Sequence, residues 1–227
     1  MKFKGVIFDL DGTLINSLED LADSMNTVLS GSNYPVHNIN TYKSFIGNGI
    51  RNLVRVALPE SGRDEQTIAE CYSRMMEIYN NNCMNKTRPY NGIIDLLNKL
   101  KARNIRLCVF SNKADEFTKK IVQALMPGYF DIIMGLSTEA HKKPNPFGAI
   151  QISRKLGISP EDFIYAGDTG IDMETAQNAG MAGVGVLWGF RTREELLNNG
   201  AKYLIDHPAD LLNILDGIEK PDYDVPE

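Results

Sequence analysis

Asp9 and Asp11 flank Leu10 directly after a short apolar run, and the period of two in an extended chain puts both carboxylates on one side. Two carboxylates held close raise each other's pKa unless a cation sits between them. A solvated Asp-Gly turn at a strand end is the plainer account of Asp11-Gly12. Asp168 ends another apolar run in Gly167-Asp168-Thr169-Gly170-Ile171-Asp172, and with Asp9 it would supply hard oxygen ligands suited to Mg²⁺. Asp172 lies one turn later at a helix start, where an acid serves either the helix dipole or a site. Ser111-Asn112 follows a further apolar run, a common place for an N-cap or turn. Lys143 directly precedes Pro144 in Lys142-Lys143-Pro144-Asn145-Pro146, a rigid turn leading to a helix start. A solvated surface lysine is one reading of Lys143; the other is an ammonium that offsets negative charge gathered beside the aspartates.

Positioning these groups requires a scaffold, and the apolar runs supply one. Val6-Ile7-Phe8 reads as a strand buried on both faces. The same pattern recurs at 105–110, 130–136, 163–166 and 182–187, which makes a sheet of five strands the expectation. Between the runs, Ile93, Ile94, Leu96, Leu97 and Leu100 form one helical stripe and Phe117, Ile121 and Leu125 another. The helix from Asp172 ends at Gly180, where a C′ glycine belongs. Alternating strand and helix indicate an α/β, Rossmann-like core with a parallel sheet covered on both faces. Each candidate residue then falls at the carboxyl end of a strand, where open α/β sheets place ligands.

Residues 16–86 break this rhythm with three or four amphipathic helices and no strand-like run. Ser17 with Asp20 three positions on reads as a helix start, the apolar stripe runs through Leu18, Leu21, Ala22, Met25, Val28 and Leu29, and Gly31 closes the helix. The expected organisation is an all-helical cap domain, 16–86, inserted into a catalytic core of 1–15 plus 87–227. The tail, 219–227, reads as frayed.

The 227 residues are 43% hydrophobic and 23% charged, the profile of an ordinary globular protein. A net charge of −5 argues against a general nucleic-acid binder. Cys71, Cys83 and Cys108 have no metal or disulfide spacing, and His37, His141 and His207 receive no role. The apolar run before Asp9 is far short of a secretory segment of roughly 7–15 residues, and no stretch reaches the ~20 of a membrane span. A cytoplasmic protein without a membrane partner is expected.

The string Asp9-Leu10-Asp11-Gly12-Thr13-Leu14, followed in order by Ser111-Asn112, Lys143 and Gly167 to Asp172, resembles the signatures of the haloacid-dehalogenase superfamily of phosphohydrolases over the whole chain. The resemblance implies that Asp9 is the nucleophile toward phosphorus. It makes Asp11 the acid toward the leaving group and then the base toward water. Ser111 and Asn112 would bind phosphate with the Gly12 amide, and Lys143 would balance charge. Mg²⁺ would sit on Asp9, Asp168 and the Asp11 carbonyl, with Asp172 orienting a metal-bound water. Two further strings, 45–54 and 185–191, resemble the phosphoglycolate-phosphatase-like branch, and Arg51 beside Gly47-Asn48-Gly49 would meet an anionic leaving group. The substrate would be a small phosphorylated metabolite, and the protein a monomer or homodimer.

The same branch holds pyrophosphatases and nucleotidases, and a sugar phosphomutase would share every core signature. A dehalogenase is disfavoured by the acid at Asp11. A phospho-acceptor signalling module shares the chemistry but is usually about 120 residues in one domain. An inactive binding homologue is disfavoured because each catalytic position is filled.

Overall fold

Val6, Ile7 and Phe8 are fully sequestered from solvent, and their side chains alternate between two apolar clusters. This alternation makes β1 (Gly5–Phe8) the centre of a layered α/β structure in the computed structural model, which describes residues 3–218. The expected frayed tail, 219–227, lies outside the described residues.

The chain continues through β2 (Ile15–Asn16), α1 (Leu18–Ser30), α2 (Ile39–Phe45), α3 (Gly49–Ala57), α4 (Glu65–Asn82), β3 (Arg88–Pro89), α5 (Ile93–Ala102) and β4 (Arg106–Ala114). There follow α6 (Asp115–Leu125), β5 (Ile132–Leu136), α7 (Phe147–Leu156), β6 (Phe163–Gly167), α8 (Gly170–Asn178), β7 (Ala182–Val186), α9 (Arg193–Asn198), β8 (Tyr203–Ile205) and α10 (Asp210–Leu215). The main sheet is parallel, in the order β5-β4-β1-β6-β7-β8. Val6 and Phe8 face a cluster shared with α5, α6 and α10, whereas Ile7 faces α7 and α8.

The sheet has six strands, not the expected five. The additional strand, β8, is three residues at the sheet edge, too short to register as an apolar run, and is held by pairing Val184 with Tyr203 and Val186 with Ile205. β4 also runs past Phe110 to Ala114, through an irregularity in its pairing with β5, so Ser111 and Asn112 lie within a strand and not in a turn.

The four helices α1 to α4 lie between β2 and β3, which pair antiparallel with Ile15 opposite Pro89 and Asn16 opposite Arg88. α1 buries Leu21, Met25, Val28 and Leu29 where it packs on α2 and α4. The expected capping box at its start does not form. Ser17 sits at φ −106°, ψ 6°, outside the extended conformation that directs an N-cap hydroxyl to the helix, and it donates instead to Asp11. Asp20 is buried and accepts from the Lys86 and Thr87 amides and the Thr87 hydroxyl, tying α1 to the start of β3. Gly31 ends α1 with an ordinary helical φ of −70°; the left-handed residue is Asn33. Among the described residues no helix is long and apolar enough to cross a membrane.

Candidate active site

Asp9 follows β1 directly, and its amide donates to Ala166 at 2.9 Å, fastening the end of β1 to β6. Asp168 follows β6. Asp172 lies in the first turn of α8, where it completes a capping box with Thr169. The three carboxylates are buried and each offers an oxygen within 4.8 Å of the others'. Asp168 accepts from the Thr13 hydroxyl (3.1 Å) and the Phe190 amide (2.9 Å). Asp172 divides its oxygens: Oδ2 accepts from the Thr169 amide and hydroxyl, while Oδ1 lies 2.6 Å from Lys143 Nζ. The helix-start reading of Asp172 is seen in the Oδ2 contacts, and Oδ1 faces Lys143.

Lys143 Nζ also lies 2.8 Å from Asp9 Oδ1, though not along a hydrogen-bonding direction, and that oxygen is buried without a hydrogen bond. Burial raises Asp9 from an aspartate's ordinary 3.8 to about 6; Lys143 pulls it down and Asp172 pushes it up. Burial, with Asp172 and Asp9 nearby, likewise holds Asp168 well above the usual carboxylate range. Burial works against the charge on Lys143, but Asp172 and Asp9 outweigh it and raise its pKa. The solvated reading of Lys143 fails, since the side chain is 2% exposed.

Asn112 positions Lys143 by accepting from its amide at 2.8 Å, and its Nδ2 donates to the carbonyls of Lys143 and Gly47. Its side chain thus joins the lysine loop to the segment between α2 and α3. Ser111 is buried, its hydroxyl accepting from the Lys113 amide at 3.3 Å.

Asp11 has its own cation: Lys113 Nζ lies 2.9 Å from both carboxylate oxygens. Each of the two carboxylates foreseen as a like-charged pair has its own lysine beside it, and Asp11 still pushes the Asp9 pKa up. The amide of Gly12, expected to face a phosphate, donates to Ile15 O at 2.9 Å. A glycine is required there for other reasons: φ is +86°, and a Cβ would fall 2.3 Å from Asp168 Oδ2.

The segment after β7 closes the site from one side. Trp188 donates its indole N–H to Thr13 O, and the Phe190 amide binds Asp168. A Cβ on Gly189 would lie 2.2 Å from Asp168 Cβ. Arg191 reaches the carbonyls of Lys43, Ser44 and Ile46 at the end of α2. On the other side Asp9, Asp11, Ser111, Asn112 and Lys113 open on a cavity walled by Leu21, Ile46, Gly47, Gly49, Ile50 and Leu53.

Arg51 is not part of this arrangement. The α3 face that packs inward carries Ile50, Leu53, Val54 and Ala57, and one residue's rotation turns Arg51 away from it. Its guanidinium pairs with Glu65 at 2.6 Å and lines a separate outer cavity with Arg55, Glu139 and Lys142. Sequence reasoning missed Lys113, Thr13 and Trp188. Lys113 had a signal, because it stands two positions after Ser111 at the end of the same strand.

A model of the haloacid dehalogenase-like hydrolases matches residues 6–186, and the chain belongs to that family. It is 33% identical to a phosphoglycolate phosphatase of Aquifex aeolicus, over 93% of this chain and 96% of that protein. Phosphoglycolate phosphatase 1 of Pseudomonas aeruginosa is 31% identical, over 93% of this chain and 79% of the relative. A solved structure described as a predicted phosphoglycolate phosphatase from Haemophilus somnus superposes with a TM-score of 0.87 at 30% identity, covering 95% of this chain and 99% of its own. Within the family, these relatives place the chain in the phosphoglycolate-phosphatase-like branch.

Proposed function

We propose that the protein is a Mg²⁺-dependent phosphatase that hydrolyses a small phosphomonoester of the phosphoglycolate kind through an aspartyl-phosphate on Asp9. The observation that carries this reading is the pairing of a buried Asp9 with a second acid, Asp11, on the wall of one cavity beside two further carboxylates.

In the first step an Asp9 oxygen attacks phosphorus, the bond from phosphorus to the ester oxygen breaks, and Asp11, which enters the step protonated, delivers its proton to that oxygen and is left as the carboxylate. In the second, water attacks the aspartyl-phosphate, Asp11 takes the water proton, and the bond between phosphorus and the Asp9 oxygen breaks to release phosphate. Lys143 lies against Asp9 and balances the charge that phosphate brings to the carboxylate cluster. The Ser111 hydroxyl, on the cavity wall, binds a phosphate oxygen.

The donor set fits a hard divalent cation: buried carboxylates within reach of one another, one of them with an oxygen free of hydrogen bonds. Asp9, Asp168 and the backbone carbonyl of Asp11 would hold Mg²⁺, with Asp172 placing Lys143 and a coordinated water. When bound, the ion would neutralise charge on the phosphoryl oxygens. We read 16–86 as a cap that closes over Asp9 and excludes bulk water during transfer. The protein would work in the cytoplasm as a monomer or homodimer.

A panel of phosphomonoesters, with pyrophosphate and glucose 1-phosphate included, tests the reading. Phosphoglycolate should give the highest kcat/KM, EDTA should abolish turnover, Mg²⁺ should restore it, and Asp9→Asn should be inactive. Full turnover in excess chelator, or more than a few per cent of activity in deamidation-free Asp9→Asn, would remove the metal or the nucleophile from the scheme.

A further inference from the structure

Among the residues lining the cavity in front of Asp9, Lys113 alone carries a positive charge. Its side chain is 1% exposed, and its ammonium lies 4.8 Å from the centre of the Tyr79 ring on α4. Tyr79 is fixed in turn by edge contact with Phe117 on α6, and its buried hydroxyl has no hydrogen-bond partner. Burial disfavours a charged lysine, but Asp11 and Tyr79 outweigh it and keep Lys113 cationic. Asp11 accepts from the ammonium through both its oxygens, and an ammonium has three protons to donate.

Distances limit what else it meets. An acid must approach the leaving oxygen to about 2.6–3.2 Å. Lys113 lies 2.9 Å from that same acid, so its ammonium comes within about 6 Å of the leaving oxygen, a reach that one hydrogen bond and a two-carbon chain would span. The helices contribute the apolar side chains of Leu21, Ile46, Ile50 and Leu53 to the cavity, which offer a longer polar leaving group no side-chain partner.

We propose that Lys113 is the specificity residue for the leaving group, and that it selects a short anion whose carboxylate lies one carbon from the ester oxygen. On binding, that carboxylate competes with Asp11 for the ammonium and leaves Asp11 directed at the ester oxygen. The proposal rests on the phosphatase reading and assigns to Lys113 the contact that the sequence had suggested for Arg51.

The test compares 2-phosphoglycolate with 2-hydroxyethyl phosphate, whose leaving group is neutral and of nearly equal size, in wild type, Lys113→Met and Arg51→Ala. In wild type the charged substrate should be preferred by at least about 100-fold in kcat/KM, the scale of a buried charge-assisted hydrogen bond. Lys113→Met should lose about 100-fold on phosphoglycolate and less than about 10-fold on hydroxyethyl phosphate, with the loss mostly in KM. Arg51→Ala should match wild type on both.

A wild-type preference near unity overturns the proposal without any variant. So does an equal loss on both substrates in Lys113→Met, which would make the lysine a support for Asp11 only. If wild type hydrolyses no phosphomonoester at all, the phosphatase reading fails first; turnover of both substrates without discrimination leaves that reading intact and removes only the role of Lys113.

Discussion

In EDTA the Asp9 carboxylate weighs against folding at neutral pH even with Lys143 at 2.8 Å, and Asp9→Asn should relieve this. Burial lifts its pKa from 3.8 to about 6, so the folded chain holds the proton more tightly than the unfolded chain does. Stability attributable to this group is present below pH 4 and is lost as pH rises toward and through 6. The rise from 3.8 to about 6 corresponds to about 3 kcal/mol. The side chain is 6% exposed, so solvent screens little of this, and Lys143 keeps Asp172 at 2.6 Å after the change. At the 2–4 °C per kcal/mol typical of a chain this long, the variant should melt roughly 5–10 °C above wild type at pH 7.5 in EDTA. At pH 4 the two should nearly coincide. Saturating Mg²⁺ should narrow the gap at pH 7.5, because it binds the native wild type most tightly. Thermal unfolding from pH 4 to 8 measures all of this. A metal-free wild type at least as stable as Asp9→Asn at pH 7.5, or a gap independent of pH, refutes the reasoning.

Asp20→Ala should lower stability by about 3 kcal/mol, since it strands buried donors on Lys86 and Thr87, and a urea midpoint unchanged from wild type would show that the anchor is dispensable. Gly189→Ala puts a methyl 2.2 Å from Asp168 Cβ and 2.6 Å from Gly12 O, so Asp168 must move. Its kcat/KM should fall at least ~10-fold and its Mg²⁺ requirement should rise, both read from metal titrations of activity.

The sequence shows the strands that are buried on both faces, because a run such as Val6-Ile7-Phe8 has no other economical reading. It does not show β8, where Tyr203-Leu204-Ile205 is too brief to carry a pattern and depends on β7 for its conformation. The carboxylates and Lys143 are legible from their order and their places at strand ends. The contacts that hold them are not: Ser17 and Asp20 have the residue types of a capping box, yet a nearby Asp11 and the returning chain at Lys86 and Thr87 claim them first. Such competition is tertiary and leaves no local signature. Arg51 lies away from the cavity for a simpler reason, since the helical stripe at Ile50, Leu53, Val54 and Ala57 already turns it outward.

The pairing of Asn16 with Arg88 means that the chain returns beside the point it left. Across an antiparallel pair the two backbones stand about 5 Å apart, a gap that a hairpin turn of about two residues closes. The intervening segment enters and leaves the sheet layer at this one point, while Gly47, Ile46 and Tyr79 touch Asn112, Arg191 and Lys113 from outside it. The register of β1 with β4 and β6, and with it the placement of Asp9 and Asp168, is set by pairs that include no residue of that segment.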